Sequence, residues 1–443
     1  MPNPFLPLWE YIPDGEPRLF GNRIYIYGSH DKAASDAFCD YKLKVWSASV
    51  DNLSDWVCHG DIFHTLADED HNSDTADWTE RELYAPDVVE NDGKYYLYCY
   101  IMDAKGCVAV SDKPEGPFRF LSLYKYSEND ASNQLYDRGS FIDPGVLVDD
   151  DGRVYIYCGF LSSYMAEINS DNMYEIIDNT YKADIIPVEA PFEFFEACSP
   201  RKIGNTYYLI YSPKIGSRLA YATSLSPVGP FEYRGIIIDN GSDYPGGNDH
   251  GSICKIKDRW YIFYHRMTNG TIMSRRACVE RIEILDDGTI PQVEMTSLGF
   301  DEALSPYKIT PAEYACVLKN GPIITEKNIF TRIVTGITDG CVIGFKYFEF
   351  GTDDSSKTMG FSAKVNGLGC KSKIHILLDS VDDGEEIGIC HVGTDDCVAE
   401  ARVKAVTGRH AVFLKIEADI GGWFKNMFDN RHLFELEAIT FTK

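Results

Sequence analysis

Residues 151–159 read DGRVYIYCG, and four further stretches repeat that reading: GNRIYIYGS (21–29), DGKYYLYCY (92–100), GNTYYLIYS (204–212) and DRWYIFYHR (258–266). Each opens on Gly, Asp or Asn, the residues of tight turns, and runs into an aromatic–aliphatic strand. The matching tyrosines are Tyr25, Tyr96, Tyr155, Tyr208 and Tyr261, at intervals of 71, 59, 53 and 53 residues. A further strand, a turn and another strand follow each copy, as in VWSASVDNLSDWVCHG (45–60) and LAYATSLSPVGPFEYRG (219–235), most weakly in the third, SYMAEINSDNMYEI (163–176). A period of this length holding about four short strands is a propeller blade. Helical periodicity is scarce through residue 300, so the reading is all-β, with five blades over residues 1–304.

Beyond residue 304 the repeat stops. CVIGFKYFEFG (341–351), GFSAKVNG (360–367), KIHILLDS (373–380) and RHAVFLKIEA (409–418) are strands in pairs with Gly and Asp turns between them. They predict a separate β-sandwich over 305–443, joined near DEALSPYKITPAEY (301–314).

Composition narrows the function. The 443 residues carry a net charge of −26, which repels phosphate backbones and anionic lipid, so neither nucleic acid nor a membrane is expected as partner. A neutral sugar is unaffected by that field. The amino-terminal stretch MPNPFLPLWEYIPDGEP has no basic region and no long apolar run, and no apolar run elsewhere is long enough to span a bilayer. The 13 cysteines are an odd number without C-x-x-C spacing. Reduced thiols in a cytoplasmic protein are therefore the expectation.

Strands nearest a propeller axis open at one common face, so residues just before them converge there. Nine to twelve residues ahead of the repeat tyrosines stand Asp14 (PDGEP), Asp87 (APDVV), Asp143 (IDPGV), Glu196 (FEACSP) and His250 (NDHGS). Singly, an Asp before Gly or Pro is a turn former. Four carboxylates and an imidazole in one register would gather like charge at a mouth, which costs stability unless the charge is used. Two carboxyls facing across a cavity that takes a neutral ligand suit glycosidic-bond hydrolysis, one as acid on the leaving oxygen and one as base or nucleophile at the anomeric carbon. A third carboxylate can position the acid and raise its pKa.

Taken in order, PDGEP, YAPDVV with Gly-Lys-Tyr-Tyr, FIDPGVLVDDDG, FFEACSP with GNTYYLIYS, and NDHGS with WYIFYHR resemble glycoside hydrolase family 43 over roughly residues 1–300. The resemblance implies an inverting pentosidase acting on xylan, arabinoxylan or arabinan. It makes Asp14 the general base, Glu196 the general acid and Asp143 the residue that orients Glu196 and tunes it. It implies substrate contacts from Arg275 of SRRACVERI, with Arg266 as second candidate, and from Tyr84 and Asp87. His250 is either an axial ligand of a structural calcium or water cluster, or a hydrogen-bonded core histidine; no cofactor is required for the chemistry. Glu16 of PDGEP stands as a rival base to Asp14, and Tyr84, where the family usually has Trp, is a stacking platform or a core residue. The sandwich is similar to family 6 carbohydrate-binding modules, with Trp423 and Phe424 in a Gly-Gly turn as possible exposed aromatics.

The expected activity is release of terminal α-L-arabinofuranose or β-D-xylose from hemicellulose- or arabinan-derived oligosaccharides. The stretch 64–82 is placed to wall one side of a closed pocket. The alternatives are an endo-arabinanase with an open groove and a non-catalytic glycan-binding propeller. A fructoside hydrolase on the related scaffold would need Trp-x-Asn-Asp-Pro-Asn, which is missing.

Overall fold

A computed structural model describes residues 1–33, 35–75, 79–102, 105–126, 141–214, 216–352, 357–395, 397–421 and 430–443. Trp423 and Phe424 lie outside the described residues. Among the described residues no helix is long and apolar enough to cross a membrane.

Five antiparallel sheets fill the first two thirds of the chain. The first blade comprises Glu16–Phe20, Arg23–Gly28, Lys42–Ser49 and Asn52–His64, and the second Leu83–Asn91, Lys94–Ile101, Lys105–Ser111 and Arg119–Leu123. The third comprises Gly145–Val148, Val154–Gly159, Ser163–Ile168 and Lys182–Ala183. The fourth comprises Phe194–Ile203, Thr206–Pro213, Arg218–Ser224 and Glu232–Asp239. The fifth has Ser252–Ile256, Arg259–Thr268 and Thr271–Ile282, three strands rather than the expected four.

Each quoted repeat is the second strand of its blade. Its alternating tyrosines and aliphatics point to opposite faces, and both faces are buried because each blade packs on two neighbours. Ile24, Ile26 and Trp46 of the first blade meet Ile256 and Phe263 of the fifth, while Tyr25, Tyr27 and Val45 meet Val88, Leu97 and Cys99 of the second. Val89 and Tyr98 then meet Val154 and Ile156, and Tyr155 and Tyr157 meet Leu209 and Tyr211, so the stack runs round the ring. The fifth blade's outer edge is covered by the amino-terminal segment: Phe5 N–H donates to Ala277 O, and Asn3 exchanges side-chain hydrogen bonds with Val279 N–H and O. That contact covers an otherwise open strand edge and delivers the chain to Asp14.

The remaining strands build two antiparallel sheets. One runs in the order Ile323–Asn328, Thr331–Thr335, Phe434–Thr442, Thr358–Gly367, Cys397–Lys404. The other runs Val317–Lys319, Val342–Glu349, Arg409–Ala418, Ser372–Leu378, Glu385–Val392. Phe441 packs edge-on against Phe348 and Phe361 between them. This sandwich core is continuous with the fourth and fifth blades: Tyr208, Tyr221, Ile262 and Tyr264 share one apolar cluster with Ala312, Val317 and Ile343. Arg266 occupies that junction. Its guanidinium is buried and donates to the carbonyls of Ala315, Asn3 and Glu313. This corrects the expectation that Arg266 faces substrate. His265 points to the axis, so its strand neighbour points the other way, into the sandwich.

Candidate active site

Strand register fixes what is equivalent to what. Glu16, Asp87, Gly145, Ser199 and Ser252 pair with Tyr27, Tyr98, Tyr157, Ile210 and Phe263, so these five form one layer around the axis. Two residues earlier, at the mouth, stand Asp14, Ala85, Asp143, Ala197 and His250. Four of these five have left-handed backbones, with φ of 56° at Asp14, 36° at Ala85, 54° at Asp143 and 65° at Ala197. Asp tolerates that conformation better than most residues; two alanines in it mark strain of the kind that collects at functional sites. In the fourth blade the pairing slips on both sides of Glu196, and this irregularity presents Glu196, the neighbour of Ala197, at the mouth.

Asp87 therefore belongs one layer deeper than the expected ring. Its carboxylate is fully buried and takes two hydrogen bonds from Arg18, at 2.8 and 2.5 Å, and one from Val146 N–H. Glu16 lies in the same layer, bound by Arg201 at 2.7 Å, by Arg18 at 3.5 Å and by the Ser199 hydroxyl. Both carboxylates are matched by guanidiniums in the channel floor. Glu16 is thus no rival to Asp14 at the mouth, and the Asp87 carboxylate is engaged by Arg18 and Val146 one layer below it.

The mouth brings Asp14, Asp143 and His250 together. One nitrogen, His250 Nδ1, lies 3.8 Å from Asp14 Oδ1 and 3.9 Å from Asp143 Oδ2. Asp14 is the most constrained of the group. Arg275 Nη1 donates to its Oδ1 at 2.9 Å, and Ser29 Oγ donates to its Oδ2 at 2.6 Å. Its backbone N–H donates to His265 Nδ1 at 3.3 Å, and that same nitrogen stands 3.4 Å from Asp14 Oδ1. Because Nδ1 accepts, the His265 proton sits on Nε2, which donates to Asn248 O at 3.2 Å. Burial holds that imidazole neutral, with its pKa lowered to about 3. Asn248 completes the circuit by donating its side-chain N–H to Glu196 Oε1 at 3.4 Å.

These surroundings separate the three carboxyls. Burial pushes Asp14 up, but Arg275, then His250, His265 and the Ser29 hydroxyl outweigh it and leave the group below its ordinary value. Burial pushes Glu196 up to about 7, against the pull of the Asn248 hydrogen bond and with the push of the Asp14 charge. Burial, then the charges of Glu196 and Asp14, raise Asp143 well above the carboxylate range. Asp143 and Glu196 titrate as a pair, which holds a proton near neutral pH while Asp14 is ionised. One ionised carboxylate beside a protonated carboxyl is the pattern of an acid–base couple.

Arg275 is in the site, as its motif implied, but it faces Asp14 and Asp31. Its Nε and Nη2 hold both oxygens of Asp31 at 2.9 Å, and its guanidinium lies over the Phe38 ring at 5.1 Å. Tyr84 is half-buried at the rim beside Ala85, its ring 5.8 Å from that of Tyr100. Sequence reasoning missed Ser29, Asp31, Asn248 and His265. Three of them ended or flanked tracts already noted (IYIYGS, NDHGS, FYHR), and the available signal was that second strands also terminate at the mouth.

The profile described as Glycosyl hydrolases family 43 matches residues 3–290. A xylosidase/arabinosidase of Thermoclostridium stercorarium is 40% identical over 400 residues, covering 78% of this chain and 82% of its own. The crystal structure of a family 43 enzyme from Xanthomonas citri, complexed with xylose, superposes with a TM-score of 0.55 at 26% identity, over 66% of this chain and 93% of that one. A Bacillus subtilis arabinoxylan arabinofuranohydrolase, 24% identical with a TM-score of 0.55, shares the fold over 100% of this chain and 97% of its own. On the match from residue 3 to residue 290 and the relative at 40% identity, this chain belongs to glycosyl hydrolases family 43 and is a glycoside hydrolase.

Proposed function

We propose that the chain is an inverting, exo-acting pentosidase that releases terminal β-D-xylose or α-L-arabinofuranose from hemicellulose- or arabinan-derived oligosaccharides. The observation that carries the reading is the convergence of Asp14 and Asp143 on one His250 nitrogen, each within 4.0 Å. Asn248 ties Glu196 to the same mouth by donating to its Oε1. The name of the Thermoclostridium relative, xylosidase/arabinosidase, supports the substrate class.

In this reading Glu196 gives its proton to the glycosidic oxygen as the bond from that oxygen to the anomeric carbon breaks. Asp14, kept ionised by Arg275, takes a proton from the water that attacks the opposite face of that carbon. The sugar leaves with its anomeric configuration inverted. Asp143 acts on Glu196 through like-charge repulsion, which favours keeping a proton at the acid. Asp31 holds Arg275, and through it Asp14. Tyr84 offers a ring at the rim for stacking on the sugar.

The reaction so written uses side chains and water alone. Calcium takes six to eight oxygen ligands. Among the described residues the axis offers the His250 imidazole, a second imidazole, His265, whose two nitrogens are already engaged by Asp14 N–H and Asn248 O, two serine hydroxyls 2.5 Å apart and hydrogen-bonded to each other, and carboxylates already matched by Arg18 and Arg201. That donor set does not fit the ion, and His250 is read instead as an imidazole that burial holds below its ordinary pKa, standing between Asp14 and Asp143. The sandwich is read as a brace: Arg332 donates to Leu8 O at 2.7 Å and Tyr11 donates to Glu326, fastening the segment that leads to Asp14. A reducing compartment is supported by thirteen free thiols, eleven of them buried.

The test is hydrolysis of paired xylosides and arabinofuranosides with the released sugar followed by proton NMR. First appearance of the inverted anomer is expected, and first appearance of the retained one overturns the scheme. Attack at internal bonds of debranched arabinan, with no monosaccharide formed, would replace the exo-acting reading by an endo-acting one.

A further inference from the structure

We propose that Asp61, His64 and His71 form a binding site for a divalent transition-metal ion of zinc-like softness, at the junction between the first blade and its connection to the second. One ligand atom from each of the three lies within 4.8 Å of the other two, a grouping the described residues show nowhere else. Two imidazoles and one carboxylate are a borderline-soft donor set that suits zinc better than calcium or magnesium.

The independent observation is His64. The residue is 2% exposed, yet its Nε2 has no hydrogen-bond partner and lies 3.8 Å from Asp61 Oδ2. A buried polar nitrogen left unpaired costs free energy, and an ion at that point would satisfy it. The His64 backbone is pinned. It ends the long outer strand of the first blade, its N–H donates to Asp74 Oδ2 at 2.8 Å, and its carbonyl accepts from Asp74 N–H at 2.9 Å. His71 lies within the loop so closed and stacks on His64 with ring centroids 4.6 Å apart. With His64 buried on a pinned backbone, the exposed His71 and the half-buried Asp61 can rotate to the zinc–ligand distance of roughly 2.0–2.2 Å. Water would complete the coordination.

The facing charges are Asp61, Asp68, Asp74 and one cation, Lys42. The Lys42 ammonium lies 2.9 Å from Asp61 Oδ2 and 3.9 Å from Asp68 Oδ2. It is the competitor of a metal, and this gives the site a test with opposite signs. The connection also reaches the active mouth's neighbourhood, since Thr65 N–H donates to Tyr41 O and Leu83 N–H to Asp40 O, at either end of it. A bound ion would therefore fasten one end of this connection where it meets Tyr41.

The experiment titrates zinc chloride into chelator-stripped full chain by calorimetry, with circular dichroism as the check on folding. Wild type is expected to take up one zinc per chain. The exposed change His71→Ala should weaken uptake beyond the roughly 10–100-fold that loss of a mere supporting partner brings. Lys42→Met should tighten it by about tenfold or more, because a cation at salt-bridge distance is removed. Failure of wild type to bind zinc stoichiometrically, or equal binding by folded His71→Ala, overturns the proposal. So does weaker binding in Lys42→Met.

Discussion

Replacing Glu196 with glutamine keeps the shape of the side chain and its Oε1, which can still accept the Asn248 hydrogen bond, but removes the proton. At its ordinary value of 4.5 a glutamate is only about 3% protonated at pH 6, whereas at the value of about 7 produced here it is roughly 90% protonated. The mouth thus increases the competent acid about thirtyfold at that pH. Loss of the acid should cost on the order of 10²–10⁴ in kcat/KM on xylo- or arabino-oligosaccharides, or about 2.7–5.5 kcal/mol of barrier. A nitrophenolate leaves without protonation, so on nitrophenyl pentosides the loss should shrink to a small part of that. The alkaline limb should disappear with it: wild-type kcat/KM falls as pH rises through about 7, because a raised acid is competent below its pKa. The assay is initial-rate kinetics on both substrate types from pH 4 to 9. Equal losses on the two leaving groups, or an alkaline limb that persists in the glutamine variant, would refute the assignment of Glu196 as the acid.

Asp14→Asn should lose activity by a similar 10²–10⁴ on both substrate types, because the base is needed whatever leaves; rates on nitrophenyl substrates near wild type would exclude it. Ser29→Ala removes one of the interactions that hold Asp14 below its ordinary value, so the acid limb of kcat/KM should move to higher pH. Asn248→Ala removes the hydrogen bond that lowers Glu196, and its alkaline limb should move up as well. Arg18→Met leaves Asp87 buried without its bidentate partner. It should destabilise the fold by about 3–5 kcal/mol, read as a lowered midpoint in urea, and an unchanged midpoint would show that the channel-floor ion pairs contribute nothing net.

The chemistry of five short tracts carried the architecture. Turn residues followed by alternating tyrosines and aliphatics, recurring every 53 to 71 residues, can bury both faces only if sheets stack on sheets around a ring. The change of pattern after residue 304 marked a second set of strands for the same reason. Spacing from those tracts also delivered Asp14, Asp143 and His250 to one mouth, since a side chain's height on a strand follows from counting residues. Counting fails where the backbone slips. Asp87 fell within the same window yet pairs one layer deeper, against Tyr98, and Glu196 reaches the mouth through an irregular register that spacing does not reveal. Arg266 went astray because its neighbour His265 owns the axial face. Beyond reach altogether were the partners that set protonation. Arg275 and Asp31 are 244 residues apart, and His265 and Asp14 251. Only closure of the ring brings such groups within hydrogen-bond distance, and a carboxyl's pKa depends on that distance and on burial, which the order of residues along the chain does not express.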